Sequence, residues 1–197
     1  MAPIHEAADR GDLAEVKRLL EEDPGLVNAL DEESDTPLMR AVDHGHLDVA
    51  SCLIDQGARV NHVGSRARTA LHVACFAGHE ELAQLLLDRG ADPALVDEEG
   101  DTALNRACYD GRVGVVGCLL RHGGSPIDLP DSEGVTPLHS AALDGYSEVM
   151  DLVIQAGADP TIPYEDGTTP LTSARAYGDA ACVGVLEVRV RTGTVTY

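Results

Sequence analysis

A short motif recurs along this chain with a period of 33 or 34 residues, and that period limits the possible folds more than any other feature. The motif is centred on a threonine, with a leucine two residues later and a glycine nine residues later. The five threonines are Thr36, Thr69, Thr102, Thr136 and Thr169. A fixed period of this length is typical of helical units that stack in a row.

Each copy of the motif predicts a pair of short helices. Thr69 is placed to accept a backbone N–H at the start of a first helix, and Gly78 can take the left-handed conformation that ends it. A second helix follows, in which Leu82, Leu85 and Leu86 have the i, i+3, i+4 spacing of a buried stripe. So small a helical hairpin cannot bury its apolar face alone, and it therefore needs neighbouring units.

The residues around the threonines also resemble a known family. The segments R-T-A-L-H-V-A at Thr69 and V-T-P-L-H-S-A at Thr136 resemble the ankyrin repeat family, and three further copies keep the same register. The resemblance covers nearly the whole chain. It implies an all-α ankyrin-repeat solenoid of about six helix-turn-helix repeats, with loops that project as fingers.

We expect a single elongated ankyrin repeat domain over residues 1–197. Residues 1–30 are predicted to form an N-terminal capping repeat, residues 31–163 four internal repeats, and residues 164–197 a C-terminal capping repeat and tail. The first capping assignment rests on Glu15 and Arg18, which are polar where later repeats carry apolar residues. The tail, residues 188–197, fits a helix end, an extended strand or a disordered terminus.

The strong negative charge limits the partners that we expect. Fourteen basic side chains against 34 acidic ones give a formal net charge of -20, which repels nucleic acid and favours basic partners. No segment has the roughly 20 consecutive apolar residues of a membrane span, and residues 1–10 lack a signal-peptide core. We therefore expect a cytoplasmic monomer that binds a basic protein or peptide, without nucleic acid, membrane or cofactor.

No cluster of reactive residues predicts catalysis. The five cysteines are odd in number and form no C-x-x-C pair, so we interpret them as small buried hydrophobic residues. The sequence has no nucleophile elbow, H-E-x-x-H motif or phosphate loop, and we predict no catalytic residue. We also predict no metal site at His44-Gly45-His46, because the glycine ends one helix and should make the two rings diverge.

Histidine occupies the same place in three repeats. These residues are His5, His72 and His139. The family resemblance implies that this side chain forms hydrogen bonds between neighbouring repeats. Met39, Asn105 and Thr172 stand at this place elsewhere, which we interpret as evidence against a chemical requirement shared by all repeats.

The predicted fingers differ in composition. Acidic residues mark the fingers that contain Asp31, Asp97 and Asp131. The loop Gly64-Ser65-Arg66-Ala67-Arg68 lacks both the acidic residue and the glycine that usually precede the threonine. We expect a different turn there, because these residue types set the backbone conformation of a loop.

The residues that packing leaves free predict a binding surface. They lie in the last turn of each first helix and in the fingers. The predicted partner-binding residues are Phe76, Tyr109, Leu143, Asp43, Asp110, Asp144, Arg68 and Arg106. The three large apolar side chains lie on adjacent repeats, and the aspartates frame them. Arg40, Arg68 and Arg106 are expected to border them.

We therefore expect a non-catalytic module that binds a protein or peptide on its concave face, as the family resemblance implies. One alternative is a small-molecule-binding or catalytic variant with a polar pocket beside Phe76 and Tyr109 in the concave groove. Another is a structural spacer that joins a second chain through its partly apolar end at Leu186. In the simplest alternative, the apolar side chains are scattered surface residues and the acidic ones form a solvated face.

Overall fold

The chain is built from short helices joined by turns. The structure, a computed structural model, describes residues 2–164, 166–177 and 180–192. Within these ranges it contains twelve α-helices, two 3-10 helices and no β-strand, which confirms the all-α prediction. The α-helices are α1 (Pro3–Asp9), α2 (Leu13–Glu22), α3 (Pro37–Asp43), α4 (Leu47–Asp55), α5 (Ala70–Ala77), α6 (Glu80–Asp88), α7 (Ala103–Tyr109), α8 (Val113–His122), α9 (Pro137–Leu143), α10 (Ser147–Gln155), α11 (Pro170–Tyr177) and α12 (Ala180–Thr192). The 3-10 helices span Pro24–Asn28 and Ser65–Ala67.

The helices form two compact units, Met1–Glu98 and Glu99–Tyr197. In the first unit, α1, α3 and α5 pack in one row and α2, α4 and α6 in another, and each odd-numbered helix packs on the next helix in the chain. The second unit repeats this plan with α7, α9 and α11 in one row and α8, α10 and α12 in the other. The single-domain assignment and the two capping repeats stay predictions.

Threonine begins and glycine ends the first helices, as the motif predicts. The Oγ1 atoms of Thr36 and Thr136 each accept a hydrogen bond from the amide three residues later, at 3.4 Å. Gly78 ends α5 with a φ of 80°, a left-handed conformation that is unfavourable for residues with a Cβ atom. The corresponding Gly178 lies outside the described residues.

The leucine of the motif forms the centre of the core. Leu38, Leu71, Leu104 and Leu138 are each at most 1% exposed. In α6, Leu82 and Leu86 are buried as predicted, whereas Leu85 is half-buried. None of the described helices is long and apolar enough to cross a membrane.

Polar side chains connect α1, α7 and α9 to the finger of the next repeat. His5 Nε2 donates to the carbonyl oxygen of Asp35 at 3.2 Å, as the family resemblance implies. Asn105 Nδ2 makes the same connection to the carbonyl oxygen of Val135 at 3.4 Å, while its Oδ1 accepts from the amide of Thr102 at 3.2 Å. The amide of Asn105 supplies the same donor and acceptor as an imidazole, whereas Met39 has no donor, so these bonds are shared by some repeats and not by all.

A second set of side-chain bonds, which the sequence analysis missed, connects the turns after the second helices. Asn28 Nδ2 donates to the carbonyl oxygen of Gly57 at 3.1 Å, and its Oδ1 accepts from the amide of Arg59 at 2.8 Å. Asn61 makes both bonds one repeat later. Asp128 makes only the acceptor bond, at 3.1 Å. Because a carboxylate has no hydrogen to donate, the second unit lacks half of this connection.

The helices near the two ends of the chain differ in character. Arg18 lies 2.7 Å from Glu15 and 2.5 Å from Glu22 on α2, so the outer face of this helix is polar, as the sequence predicts. At the other end, α12 continues through Thr192. The tail therefore begins as a helix over residues 188–192, and residues 193–197 lie outside the described ranges.

Candidate partner-binding site

Two of the predicted site residues carry large apolar side chains that face solvent. Phe76, near the end of α5, is 48% exposed, and Tyr109, the last residue of α7, is 56% exposed. Leu143, at the end of α9, is half-buried. Each lies five residues after the core leucine of its repeat, which is about 140° around the helix. The leucine core therefore turns these positions outward.

The three predicted aspartates lie at the ends of first helices. Asp43 and Asp144 are exposed and Asp110 is half-buried. Asp43 is the last residue of α3, and the other two follow α7 and α9 directly. A carboxylate at a helix C-terminus opposes the helix dipole. Helix stability therefore does not explain the acidic residues at these three positions.

The two predicted arginines point at finger carboxylates. The guanidinium of Arg68 lies with its Nε 3.7 Å from the buried carboxylate of Asp97, and its central carbon lies 5.8 Å from the ring centroid of Phe76. Arg106 contacts Glu99 and lies 2.8 Å from Asp101. Their side chains are only 20% and 13% exposed. Both arginines therefore lie largely beneath the surface, in contact with finger carboxylates.

Arg40, the third arginine predicted to border the apolar side chains, pairs with carboxylates of the first acidic finger. Its Nε donates to Asp31 at 2.8 Å, and its terminal nitrogen donates to Glu33 at 2.6 Å. The carboxylate of Asp35 lies 3.8 Å away. Burial opposes charge on Asp31, but the bonds from Arg40 and from two backbone amides outweigh it and lower the pKa of this carboxyl group.

The loop without an acidic residue has the different turn that we expected. Arg66 and Ala67 have φ values of 54° and 56°, so two consecutive residues with side chains occupy the left-handed region. A Cβ atom at Gly64 would overlap the carboxylate of Asp35 and the side chain of Met39. The missing acidic residue is replaced from the neighbouring finger, because the amide of Ser65 donates to Asp35 Oδ1 at 2.9 Å.

A groove lies between the first two fingers of the first unit. We call it the first groove; it has a volume of about 180 Å³, and its lining includes Glu33, Met39, Arg40, Arg68 and Val73. The two arginines supply its positive charge. Arg40 pairs with Asp31 and Glu33, and Arg68 lies near Asp97, so these carboxylates of the same unit face the positive charge of the groove.

A matching groove in the second unit has different contents. This second groove has a volume of about 340 Å³ and is lined by Glu133, His139, Leu143, Tyr164 and Asp166, among others. The rings of His139 and Tyr164 lie 6.4 Å apart at 53°. Burial is the main cause that lowers the pKa of His139, which favours the neutral ring. Of these residues, only Leu143 was predicted from the sequence to belong to the site.

The residues of the second groove differ from those of the first at aligned positions of the motif. Ser140 stands where Arg40 stands, four residues after the threonine, and Thr168 stands where Arg68 stands. Tyr164 takes the place of Gly64, five residues before the threonine. The signal is the loss of two arginines and the gain of one aromatic residue, and it has meaning only once the fingers are known to be neighbours.

The histidines of His44-Gly45-His46 do not diverge as predicted. Their rings are stacked, with centroids 6.2 Å apart and an angle of 9° between planes. They nevertheless have separate partners, because His46 Nε2 donates to the carbonyl oxygen of Asp9 at 2.9 Å and His44 Nδ1 lies 3.1 Å from that of Arg40. The stacking follows from Gly45, whose φ of 77° reverses the chain between them.

The cysteines behave mainly as core residues. Cys75, Cys108, Cys118 and Cys182 are buried, and Cys52 is half-buried. Burial raises the pKa of the Cys108 thiol strongly and that of the Cys52 thiol to a lesser degree. Raised thiol pKa values disfavour the reactive thiolate.

The similarity of this chain to known proteins lies in its repeats. A family model described as ankyrin repeats (3 copies) matches residues 4–97 and 90–164. Over 54 residues the chain is 52% identical to the serine/threonine-protein kinase VIK of Arabidopsis thaliana, and over 57 residues it is 49% identical to human ankyrin repeat domain-containing protein 49. These segments cover 27% and 29% of this chain, but only 12% and 24% of those two proteins.

Solved structures match over nearly the full length. An ankyrin repeat domain from Acinetobacter baumannii AYE is 31% identical, with a TM-score of 0.87 over 94% of this chain and 96% of that one. A second crystallised ankyrin repeat protein is 29% identical, with the same TM-score over 93% of this chain and 96% of that one. Ankyrin repeats generally mediate protein–protein interaction and are generally non-catalytic. The chain belongs to the ankyrin repeat family.

Proposed function

We propose that the chain is a non-catalytic module that binds a basic protein or peptide across the last turns of its first helices, on the concave face of its repeats. One observation carries this proposal: Phe76 and Tyr109 are about half exposed at the same position of the repeat. Exposed aromatic side chains at a repeated position are suited to anchor a partner, because aromatic anchors dominate binding energies at protein interfaces.

The charge of the chain supports a basic partner. The net charge is -20, and Asp43, Asp110 and Asp144 lie at helix ends where carboxylates do not serve helix stability. Such charges act mainly on the association rate, because they steer an oppositely charged partner toward the surface. We infer from the same charge that the module avoids nucleic acid, and we propose that it acts as a cytoplasmic monomer without a cofactor.

Arg68, at the border of the proposed site, contacts the ring of Phe76. The guanidinium of Arg68 lies over one face of the Phe76 ring at 5.8 Å from the centroid, a distance at which a cation and an aromatic ring attract each other. The contact orders the ring before binding. An anchor that is already ordered loses less conformational entropy when a partner arrives.

Selection from a peptide library tests the proposal. We expect peptides selected on the parent protein to be enriched in lysine and arginine. Phe76→Ala and Tyr109→Ala should each weaken their binding by about 1 to 4 kcal/mol in calorimetry, while the midpoint of thermal unfolding stays near that of the parent.

Leu47→Ala is the matched control, because Leu47 is 42% exposed but lies at the start of a second helix. This change should leave peptide affinity unchanged. Selected peptides that are not basic would contradict the proposed partner. Peptides that bind both alanine variants as tightly as the parent would contradict the proposed site.

A further inference from the structure

We propose that the second groove binds the side chain of an arginine that a partner presents. The inference rests on the proposed function, because it assigns one subsite for the basic partner. It concerns a cavity lined by Glu133, Leu143, Tyr164 and Asp166. Only Leu143 belongs to the site described above.

The first groove shows what the repeat does with a guanidinium group. Glu33, three residues before its threonine, accepts a hydrogen bond from Arg40 at 2.6 Å. In the second unit, Arg106 contacts Glu99 at the same two positions of its repeat. The backbone of the finger therefore places a carboxylate where a guanidinium can reach it.

The second groove keeps this carboxylate but has no arginine of its own at that place. Glu133 lies three residues before Thr136, and Ser140 replaces the arginine. Within the described ranges, no ion pair involves the Glu133 side chain. Asp166 adds a second carboxylate at the equivalent position of the next finger. Two carboxylates facing a cavity without lysine or arginine among its described lining residues favour a cation from outside.

The space in the second groove is suited to a side chain. Its volume is about 340 Å³, against about 180 Å³ for the first groove. Thr168 lines the second groove where the larger Arg68 lines the first, and Ser140, in the place of Arg40, is not among its lining residues. The volume lies at the lower end of the roughly 300 to 1,000 Å³ that is typical of pockets for small ligands.

The walls favour arginine over a compact cation. Val135 and Leu143 offer apolar surface to the methylene groups of a long side chain. The ring of Tyr164 offers a face on which a planar guanidinium can stack. The contact of Arg68 with Phe76 at 5.8 Å is an example of this pairing in the same protein. Carboxylates on two adjacent fingers also suit the several donors of a guanidinium better than a single ammonium group.

Titration of the full chain, labelled with ¹⁵N, by N-acetyl-arginine amide tests the proposal. We expect the amide signals of the Glu133 and Thr168 fingers to shift. N-acetyl-citrulline amide has nearly the same shape without the charge, and we expect it to bind about tenfold or more weakly. N-acetyl-lysine amide distinguishes a guanidinium site from a general cation site.

Variants locate the binding in the groove. Glu133→Gln and Asp166→Asn should each reduce arginine affinity about tenfold, and an asparagine keeps the acceptor for the Thr168 amide. Glu148→Gln, an exposed carboxylate on α10 outside the groove, should have no effect. Thr168→Arg should place a guanidinium in the groove as Arg68 does in the first unit, and so abolish binding of the added arginine.

Equal binding of arginine, citrulline and lysine, or shifts that persist unchanged in Glu133→Gln, would overturn the proposal. This failure is distinct from failure of the proposed function. Selected peptides that depend on Phe76 and Tyr109 but bind Glu133→Gln like the parent would leave the partner surface in place and remove the arginine subsite. Two results together would support both proposals. The selected peptides should lose affinity for Glu133→Gln, and their citrulline-substituted forms should bind the parent protein equally weakly.

Discussion

The first and second grooves have the same position in the repeat, but only the first has arginines among its described lining residues. Arg40 and Arg68 line the first groove and pair with carboxylates of their own unit. Ser140 and Thr168 stand at these places in the second unit, where the groove has nearly twice the volume. The comparison teaches that one repeat position can stabilise a finger in one copy and be left open for a partner in another.

Removing the internal cation of the first groove should have the largest effect. Arg40→Ala leaves the carboxylates of Asp31, Glu33 and Asp35 without their guanidinium, and the Asp31 side chain is only 3% exposed. Loss of one partner from a buried pair costs about 3 to 5 kcal/mol. Since Arg40 and Glu33 reach solvent, we expect a loss of about 2 to 3 kcal/mol in the free energy of unfolding, measured with urea.

Arg59→Ala is the control for this change, because Arg59 is exposed and its substitution should stay within about 0.5 kcal/mol of the parent. A cost for Arg40→Ala no larger than the control would show that the first groove does not depend on its arginines.

The cost of Arg40→Ala should also depend on pH. In the parent, the lowered pKa of Asp31 contributes stability that is complete above the unfolded pKa of about 3.8. This contribution is lost as pH falls through the lower folded pKa. The variant lacks most of it, so the difference in urea stability should be full at neutral pH and shrink below about pH 4. A difference that stays constant into acid would exclude Asp31 as its source.

A smaller effect is expected where the two units differ beneath the grooves. The first unit has Asn28 and the second has Asp128, whose pKa is raised mainly by burial and further by the charge of Asp159, against the bond from the Asp159 amide. Asp128→Asn restores a donor for the carbonyl of Gly157, which aligns with Gly57. We expect a gain of about 1 kcal/mol in thermal or urea unfolding at neutral pH.

The electrostatic origin of this gain in stability can be tested by varying the pH. A carboxyl group with a raised pKa destabilises the fold above that pKa and has no such effect below the unfolded value. The advantage of asparagine should therefore fall as the solution is made acidic. Asn28→Asp makes the reverse change in the first unit and should cost a similar amount. An advantage for Asp128→Asn that is independent of pH would point to packing as its cause.

The smallest expected effect concerns the loop that forms one wall of each groove. Ala67 has a φ of 56°, and the aligned Gly167 has a φ of 84°. Alanine is strained in the left-handed region, but glycine loses more entropy on folding. We expect Ala67→Gly to raise the free energy of unfolding by about 0.5 to 1 kcal/mol, and Gly167→Ala to lower it by about 1 kcal/mol. Equal stability of all three proteins would mean that these loops relax without cost.

The helix pairs could be predicted from the sequence because their causes are local. Thr36 and Thr136 begin helices through bonds to amides three residues away, and the leucine of each copy repeats at a fixed place. The contents of the grooves could not be predicted in this way. Arg40 meets Glu33 only because the finger folds back on its helix, and Tyr164 meets His139 across two repeats. Such contacts depend on loop geometry that residue type alone does not set.

Several side-chain bonds between repeats have backbone acceptors, and this bears on how the gene can evolve. His5 and Asn105 each donate to a carbonyl oxygen about 30 residues further along, and Asn28 and Asn61 do the same on the other row. A carbonyl group is present whatever side chain a mutation installs. Duplication or deletion of one whole repeat would therefore leave these donors with an acceptor, so that the number of repeats can change by recombination.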